Sequence, residues 1–145
     1  MSLISARVAA ARDRLRAAGI PPDEADLDAR VLAERILDWD AAQYLTHANE
    51  EEPEGFAASF EALVARRAAR EPTAYLVGRR EFCGLEFQVT PAVLIPRPET
   101  ELIVESALSL FSRSSGALEI ADVATGSGCL AVTLARERPA SPIIA

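Results

Sequence analysis

The hydrophobic period of this chain changes once, near Pro72, and that change limits what it can fold into. Before Pro72, apolar side chains recur every three or four residues, as on one face of a helix. After it they alternate in twos, as on a strand covered on one side. A helical part followed by an unlike, mixed part is therefore expected. The chain has 145 residues and 50% of them are hydrophobic, enough to bury the core of one domain of typical size or of two small ones.

In the first helix Val8, Ala11, Leu15 and Ala18 share a face, and Gly19-Ile20-Pro21-Pro22 supplies the stop. A second helix is expected after Asp23, with Ala25, Ala29, Leu32 and Ile36 on one stripe and Asp28, Arg30, Glu34 and Arg35 on the other side. A short helix around Asp40 to Leu45 follows. Asn49-Glu50-Glu51-Glu52-Pro53-Glu54 reads as an acidic link whose carboxylates complement the positive end of the next helix dipole. That fourth helix carries Phe56, Phe60, Leu63 and Val64 and ends in Arg66, Arg67 and Arg70, cations suited to a C-terminus. Trp39, Tyr44, Phe56 and Phe60 are expected to pack the helical part, and His47 to be a surface histidine.

Beyond Pro72, Tyr75-Leu76-Val77-Gly78 reads as a strand or extended entry, and Leu85, Phe87 and Val89 alternate after Gly84, which predicts a β-hairpin with Gly84 in its turn. Pro98 sits in the first turn of a further helix bearing Glu99, Thr100 and Glu101, then Leu102, Ile103, Leu108 and Phe111. Ser112 to Gly116 is a loop. Leu118 to Val123 reads as a buried strand, Ala124 to Gly128 as a turn of small residues, Cys129 to Arg138 as a helix, and Ile143-Ile144-Ala145 as the start of another strand.

Two stretches carry chemistry. Asp122-Val123-Ala124-Thr125-Gly126-Ser127-Gly128 leaves a strand and enters a helix, the setting of a Gly-rich nucleotide loop. Loops of this kind bind dinucleotides, phosphates or S-adenosylmethionine, or are merely tight turns. No Lys follows the last glycine, so this is not a P-loop. The acid at the strand end, Asp122, suits the ammonium and sulfonium of S-adenosylmethionine better than a pyrophosphate. In Val93-Leu94-Ile95-Pro96-Arg97-Pro98-Glu99-Thr100-Glu101, two prolines around an arginine make a stiff elbow. Taken alone it is equally a rigid linker with a capped helix.

Together with Gly78-Arg79-Arg80-Glu81-Phe82-Cys83-Gly84-Leu85-Glu86-Phe87, these two stretches closely resemble the PrmC/HemK family, the glutamine N5-methyltransferases of peptide chain release factors. The resemblance extends over the chain, and its specific part is roughly residues 72–138. The Pro-Arg-Pro-Glu-Thr-Glu elbow is the most diagnostic piece, since class I methyltransferases share the loop. The implied fold is α+β to α/β: a helical bundle over 1–72 that helps to recognise the substrate, a β-hairpin linker over 73–92, and the start of a class I (Rossmann-like) S-adenosylmethionine-dependent methyltransferase domain over 93–145. The implied cofactor is S-adenosylmethionine, held by Ile95, Arg97, Pro98 and Thr100 of the elbow and by Asp122, Ala124, Thr125, Gly126, Ser127 and Gly128 of the loop. The implied partner is a peptide chain release factor, methylated on the glutamine of its Gly-Gly-Gln loop.

Two departures from the family pattern stand out. Ala124 occupies a position where relatives usually have Gly; a Cβ is tolerable there if φ is negative, so weaker cofactor binding at most is expected. The Asn-Pro-Pro-Tyr motif of the family and its ribose-binding acid do not occur before Ala145. An amide nitrogen is a poor nucleophile and needs those groups to orient it, so no catalytic residue is expected within this chain. Alone it should be inactive, bind S-adenosylmethionine poorly, and expose Ile120, Val123, Leu130, Leu134, Ile143 and Ile144. A ribosomal-protein glutamine methyltransferase and a non-catalytic module that holds the release factor are the competing readings.

Charge and composition narrow the rest. With 22 acidic and 15 basic residues the net charge is −7, which argues against a surface built to grip nucleic acid. Arg66, Arg67, Arg70, Arg79 and Arg80 form the one basic concentration. They are read as a solvated helix end, with contact to a release factor or to ribosomal RNA as the sharper alternative. Genome base composition is the bland reading of the absence of Lys and the abundance of Ala, and no function is drawn from them. Cys83 and Cys129 are expected as buried thiols rather than a disulfide or metal site. With no cationic-then-apolar start and no apolar run of about 20 residues, a cytoplasmic protein without membrane contact is expected.

Overall fold

The computed structural model describes residues 2–111 and 116–145. They fall into two compact units, one running through Val77 and the other from Gly78 to Ala145. Of the loop expected over Ser112 to Gly116, residues 112–115 lie outside the described residues.

The first unit is helical: α1 (Ile4–Ala17), α2 (Pro22–Leu37), α3 (Ala41–His47), α4 (Phe56–Ala68) and α5 (Thr73–Val77). Each long helix buries the stripe its spacing dictates: Ile4, Val8, Ala11 and Leu15 from α1, Ala25, Ala29 and Leu32 from α2, and Phe56, Phe60 and Val64 from α4. Alanine has a structural use here, since Ala11, Ala25, Ala29 and Ala33 lie in the buried core, where small side chains let helix backbones approach. Phe56 and Phe60 stack with centroids 5.2 Å apart. Tyr44 is buried too, and Trp39 packs against the core from its edge. Pro22 opens α2 at its first turn, where a missing N–H costs nothing. Asp40 caps α3 in a capping box: it accepts from Gln43 N at 2.8 Å, and Gln43 Oε1 accepts from Asp40 N at 2.9 Å.

Three expectations for this unit fail, each because a distant partner overrides a local signal. Tyr75–Val77 is not extended but lies in α5, whose first turn is closed by Tyr75 N and Leu76 N on Pro72 O and which buries Leu76 and Val77. Asp28 is not on the solvent side of α2; it is 8% exposed and accepts from Arg67 and Thr73. The acidic link does not serve the α4 dipole, for no acid stands in its first turn. Glu52 is instead gripped by Arg7, while Ser5 Oγ donates to Asn49 at 2.9 Å and Glu52 N bonds Ser2 O at 3.0 Å.

The second unit begins with the expected hairpin, β1 (Arg79–Phe82) and β2 (Leu85–Gln88), antiparallel with Phe82 opposite Leu85. Cys83 and Gly84 both have positive φ, +49° and +72°, as a two-residue type I′ connection requires. After the proline-rich stretch come a 3₁₀ turn (Pro98–Thr100) and α6 (Glu101–Leu110). Then β3 (Ile120–Ala121) and β4 (Ile143–Ile144) pair in parallel, joined through α7 (Cys129–Glu137). The strand expected over Leu118 to Val123 is thus shorter: Leu118 N bonds the Ser141 hydroxyl, and Val123 is already in the turn.

This unit has its own small core of Phe82, Phe87, Val104, Cys129 and Leu134. Leu134 is therefore buried, not exposed as expected, and Ile120, Leu130 and Ile143 pack partly against it. Val123 and Ile144 do face solvent, at 88% and 77% exposure. The expected apolar stripe of α6 is largely outward as well, since Leu102 and Ile103 are exposed and Val104 alone is buried. Among the described residues, no helix is long and apolar enough to cross a membrane.

Candidate functional site

In the second unit the elbow and the small-residue loop, more than twenty positions apart in sequence, line one cavity of about 250 Å³. The elbow contributes Leu94, Ile95, Pro96, Arg97 and Thr100; the other wall is Asp122 to Ser127 with Cys129 and Leu130. Pro96 is buried and anchors the elbow, while Arg97 is exposed. Arg97 holds an extended backbone (φ −96°, ψ 140°) before the 3₁₀ turn, the conformation a following proline imposes.

The loop has an unusual backbone. Ala124, Gly126 and Gly128 all have positive φ, at +64°, +60° and +78°. These three left-handed residues lie between β3 and α7, in the turn that forms one wall of the cavity. Ala124 does not meet the condition of negative φ under which a Cβ is tolerable: its Cβ sits where L-residues are disfavoured by about 1–2 kcal/mol. Three hydrogen bonds tie the loop. Asp122 N bonds Ile144 O at 2.8 Å, Thr125 Oγ1 donates to Asp122 Oδ2 at 2.9 Å, and Gly128 N bonds Thr125 O at 3.0 Å. Gly128 then caps α7.

Of the residues singled out from sequence, Ile95, Arg97, Thr100, Asp122, Ala124, Thr125, Gly126 and Ser127 all line this cavity. Pro98 and Gly128 do not; one opens the 3₁₀ turn and the other closes the loop. Leu94, Pro96 and Val123, inside the two stretches but not expected to bind, line it as well, and so do Cys129 and Leu130 just beyond. Their signal was adjacency alone: Cys129 and Leu130 are the first turn of α7, next to the last glycine. The cavity thus sets one carboxylate, Asp122, and one guanidinium, Arg97, among the hydroxyl-bearing Thr100, Thr125 and Ser127 and the apolar Leu94, Ile95 and Leu130.

Of the basic concentration, Arg66, Arg67, Arg70 and Arg79 are used internally, while Arg80 is exposed on β1. Arg66 pairs with Glu71 at 2.6 Å, Arg67 with Asp28 at 2.6 Å, and Arg79 with Glu86 at 3.5 Å. Arg70 donates to Ala18 O and Gly19 O, each at 3.0 Å. His47 is partly exposed, 2.6 Å from Glu50 and beside the Trp39 ring. The Cys83 thiol is pushed up from its ordinary pKa, first by burial and then by Glu101 and Glu81. Both cysteines are free, and among the described residues no three His, Cys, Asp or Glu side chains are placed to hold a metal.

Residues 8–78 match the family model of the PrmC N-terminal domain. The chain is 51% identical over 113 residues to a release factor glutamine methyltransferase of Burkholderia pseudomallei, covering 78% of this chain and 39% of that protein. It is 46% identical over 136 residues to one of Cereibacter sphaeroides (94% and 46%), and 42% identical over 134 residues to one of Bordetella pertussis (92% and 48%). The chain spans less than half the length of these curated relatives.

Proposed function

This chain belongs to the PrmC family through its N-terminal domain, and on that premise we propose that it is part of an enzyme that methylates the glutamine of the Gly-Gly-Gln loop of peptide chain release factors. In this reading the cavity of the second unit holds S-adenosylmethionine, the β3–α7–β4 unit opens a class I (Rossmann-like) sheet, and the helical unit helps to hold the release factor. Residues 1–72, 73–92 and 93–145 are then the substrate-recognition domain, the hairpin linker and the start of the methyltransferase domain. The observation that carries the proposal is the single cavity lined by both the elbow and the loop.

The residues present fit such a cofactor. Its amino-acid end is a zwitterion, and the cavity offers an acid and a base, Asp122 for the ammonium and Arg97 for the carboxylate. The small residues Ala124 and Gly126 let the loop backbone approach a ligand closely. A volume of about 250 Å³ falls just under the roughly 300 Å³ at which ligand pockets usually begin, so it suits the methionine and ribose part rather than the whole molecule. Bound there, S-adenosylmethionine supplies an electrophilic methyl group on a sulfonium.

Ile95 and Leu94 would exclude water from one side of that group, and Asp122 would fix its orientation. Proximity and orientation are what a weak amide nucleophile most needs. The test is incubation of the longer protein with methyl-labelled cofactor and a release factor. Label on the Gly-Gly-Gln glutamine is expected, and an unlabelled glutamine refutes the proposal.

A further inference from the structure

We propose that Thr125 is a positioning residue of the cofactor loop, its hydroxyl holding Ala124 in the left-handed conformation that shapes the cavity wall. The inference rests on the reading of this cavity as the S-adenosylmethionine site. Ala124 has φ +64°, and alanine has no polar side chain with which to offset that strain, as Asn or Asp can. Packing does not hold it there either: Ala124 is exposed, and its neighbour Val123 is 88% exposed.

What spans Val123 and the strained Ala124 is one hydrogen bond, Thr125 Oγ1 to Asp122 Oδ2 at 2.9 Å. Its two ends are themselves anchored, Asp122 N on Ile144 O at 2.8 Å and Thr125 O under Gly128 N at 3.0 Å. The bond closes a ring around Val123 and Ala124 and also fixes the rotation of the Asp122 carboxylate, which lines the cavity. Without it, Ala124 is free to relax to negative φ, changing the cavity wall that Asp122 to Ser127 form. A glycine at this position would carry little of that strain and so depend less on the clamp. Thr125 and Ala124 are therefore coupled.

The test compares the whole chain with its Thr125→Val, Thr125→Ser, Ala124→Gly and Ala124→Gly/Thr125→Val variants, by calorimetric titration with S-adenosylmethionine. NMR shifts of the Ala124 backbone and Cβ are recorded without ligand, and far-UV circular dichroism establishes that each variant is folded. Thr125→Val should move the Ala124 signals and weaken binding about tenfold, the worth of a hydrogen bond to a charged group. Thr125→Ser should keep both near wild type. In the Ala124→Gly background the valine should cost no more than about threefold, most of the tenfold loss having been relieved. Unmoved Ala124 signals in Thr125→Val, or the same loss in the Ala124→Gly background as in the unaltered one, would overturn the clamp. If the unaltered chain shows no binding, the cofactor reading fails for it, while the Ala124 signals in the Val and Ser variants still decide the clamp.

Discussion

Arg67 Nε stands 2.6 Å from Asp28 Oδ2, joining the last turn of α4 to the middle of α2 across 39 residues of sequence. Thr73 Oγ1 takes the other carboxylate oxygen at 2.7 Å, so α5 is tied to the same point. Both members of the ion pair are largely out of water, with side chains 11% exposed.

A carboxylate so placed matters most when its partner is removed. Asp28→Ala should destabilise the helical unit by about 2 kcal/mol, because Arg67 is left poorly solvated with only the exposed Glu24 carboxylate, 3.3 Å away, to balance its charge. Asp28→Ala/Arg67→Met should recover part of that loss. Urea unfolding of the three chains checks this, and a double variant no more stable than Asp28→Ala would refute the pairing argument.

Acid should loosen the first unit through Glu52. The Arg7 guanidinium donates to Glu52 and holds its carboxyl below the usual range, as Arg66 does for Glu71. A carboxyl whose pKa is lower folded than unfolded binds protons more readily when unfolded. Its stabilising share is therefore complete above the unfolded value, near 4.3, and is lost as pH falls through the folded value. Thermal midpoints followed downward from pH 6 should fall more steeply below that region for the unaltered chain than for Arg7→Gln. Parallel curves would show that the contact adds nothing. Both groups lie near the surface, so added salt should shrink the difference.

Gly19 and Gly55 offer a matched comparison. Both have φ near +80°, at +80° and +81°, but a Cβ on Gly19 would lie 2.8 Å from Arg70 Nη2 while one on Gly55 meets nothing within 4 Å. Gly55→Ala should cost about 1 kcal/mol of backbone strain. Gly19→Ala should cost more, because the Arg70 guanidinium must leave the Ala18 and Gly19 carbonyls. Equal losses in denaturant titrations would mean that Arg70 simply swings aside.

Cys83 should be a slow thiol. Burial raises its pKa first, and the Glu101 and Glu81 carboxylates raise it further, which leaves little thiolate at neutral pH. Iodoacetamide at pH 7.5 should alkylate Cys83 more slowly than a free peptide thiol, and Glu101→Gln should quicken the reaction. A wild-type rate equal to that of the peptide, read by mass spectrometry, would contradict this.

Much of the molecule was legible in the sequence because its signals are local. The spacing of Val8, Ala11 and Leu15, and of Phe56, Phe60 and Val64, marks helix faces whichever neighbour covers them. Alternation of Leu85, Phe87 and Val89 behind Gly84 marks a hairpin in the same way, and the elbow and loop could be singled out by their small and rigid residues. What only the tertiary structure decided depends on partners far along the chain. Asp28 turns inward because Arg67 and Thr73 meet it, and Glu52 leaves the α4 terminus because Arg7 lies within reach. Tyr75 to Val77 coils into a helix because Leu76 and Val77 are buried there. Leu102 and Ile103 of α6 remain outside although their residue types predict burial, since the face of α6 turned to the small core carries Val104, Ala107 and Leu108. Ala124 adopts a conformation its own residue type disfavours, within a loop anchored on a strand more than twenty residues away. Periodicity reports which face of an element can be buried; whether a charge goes in with it, or a strained backbone is held, is settled by long-range contacts that no local pattern contains.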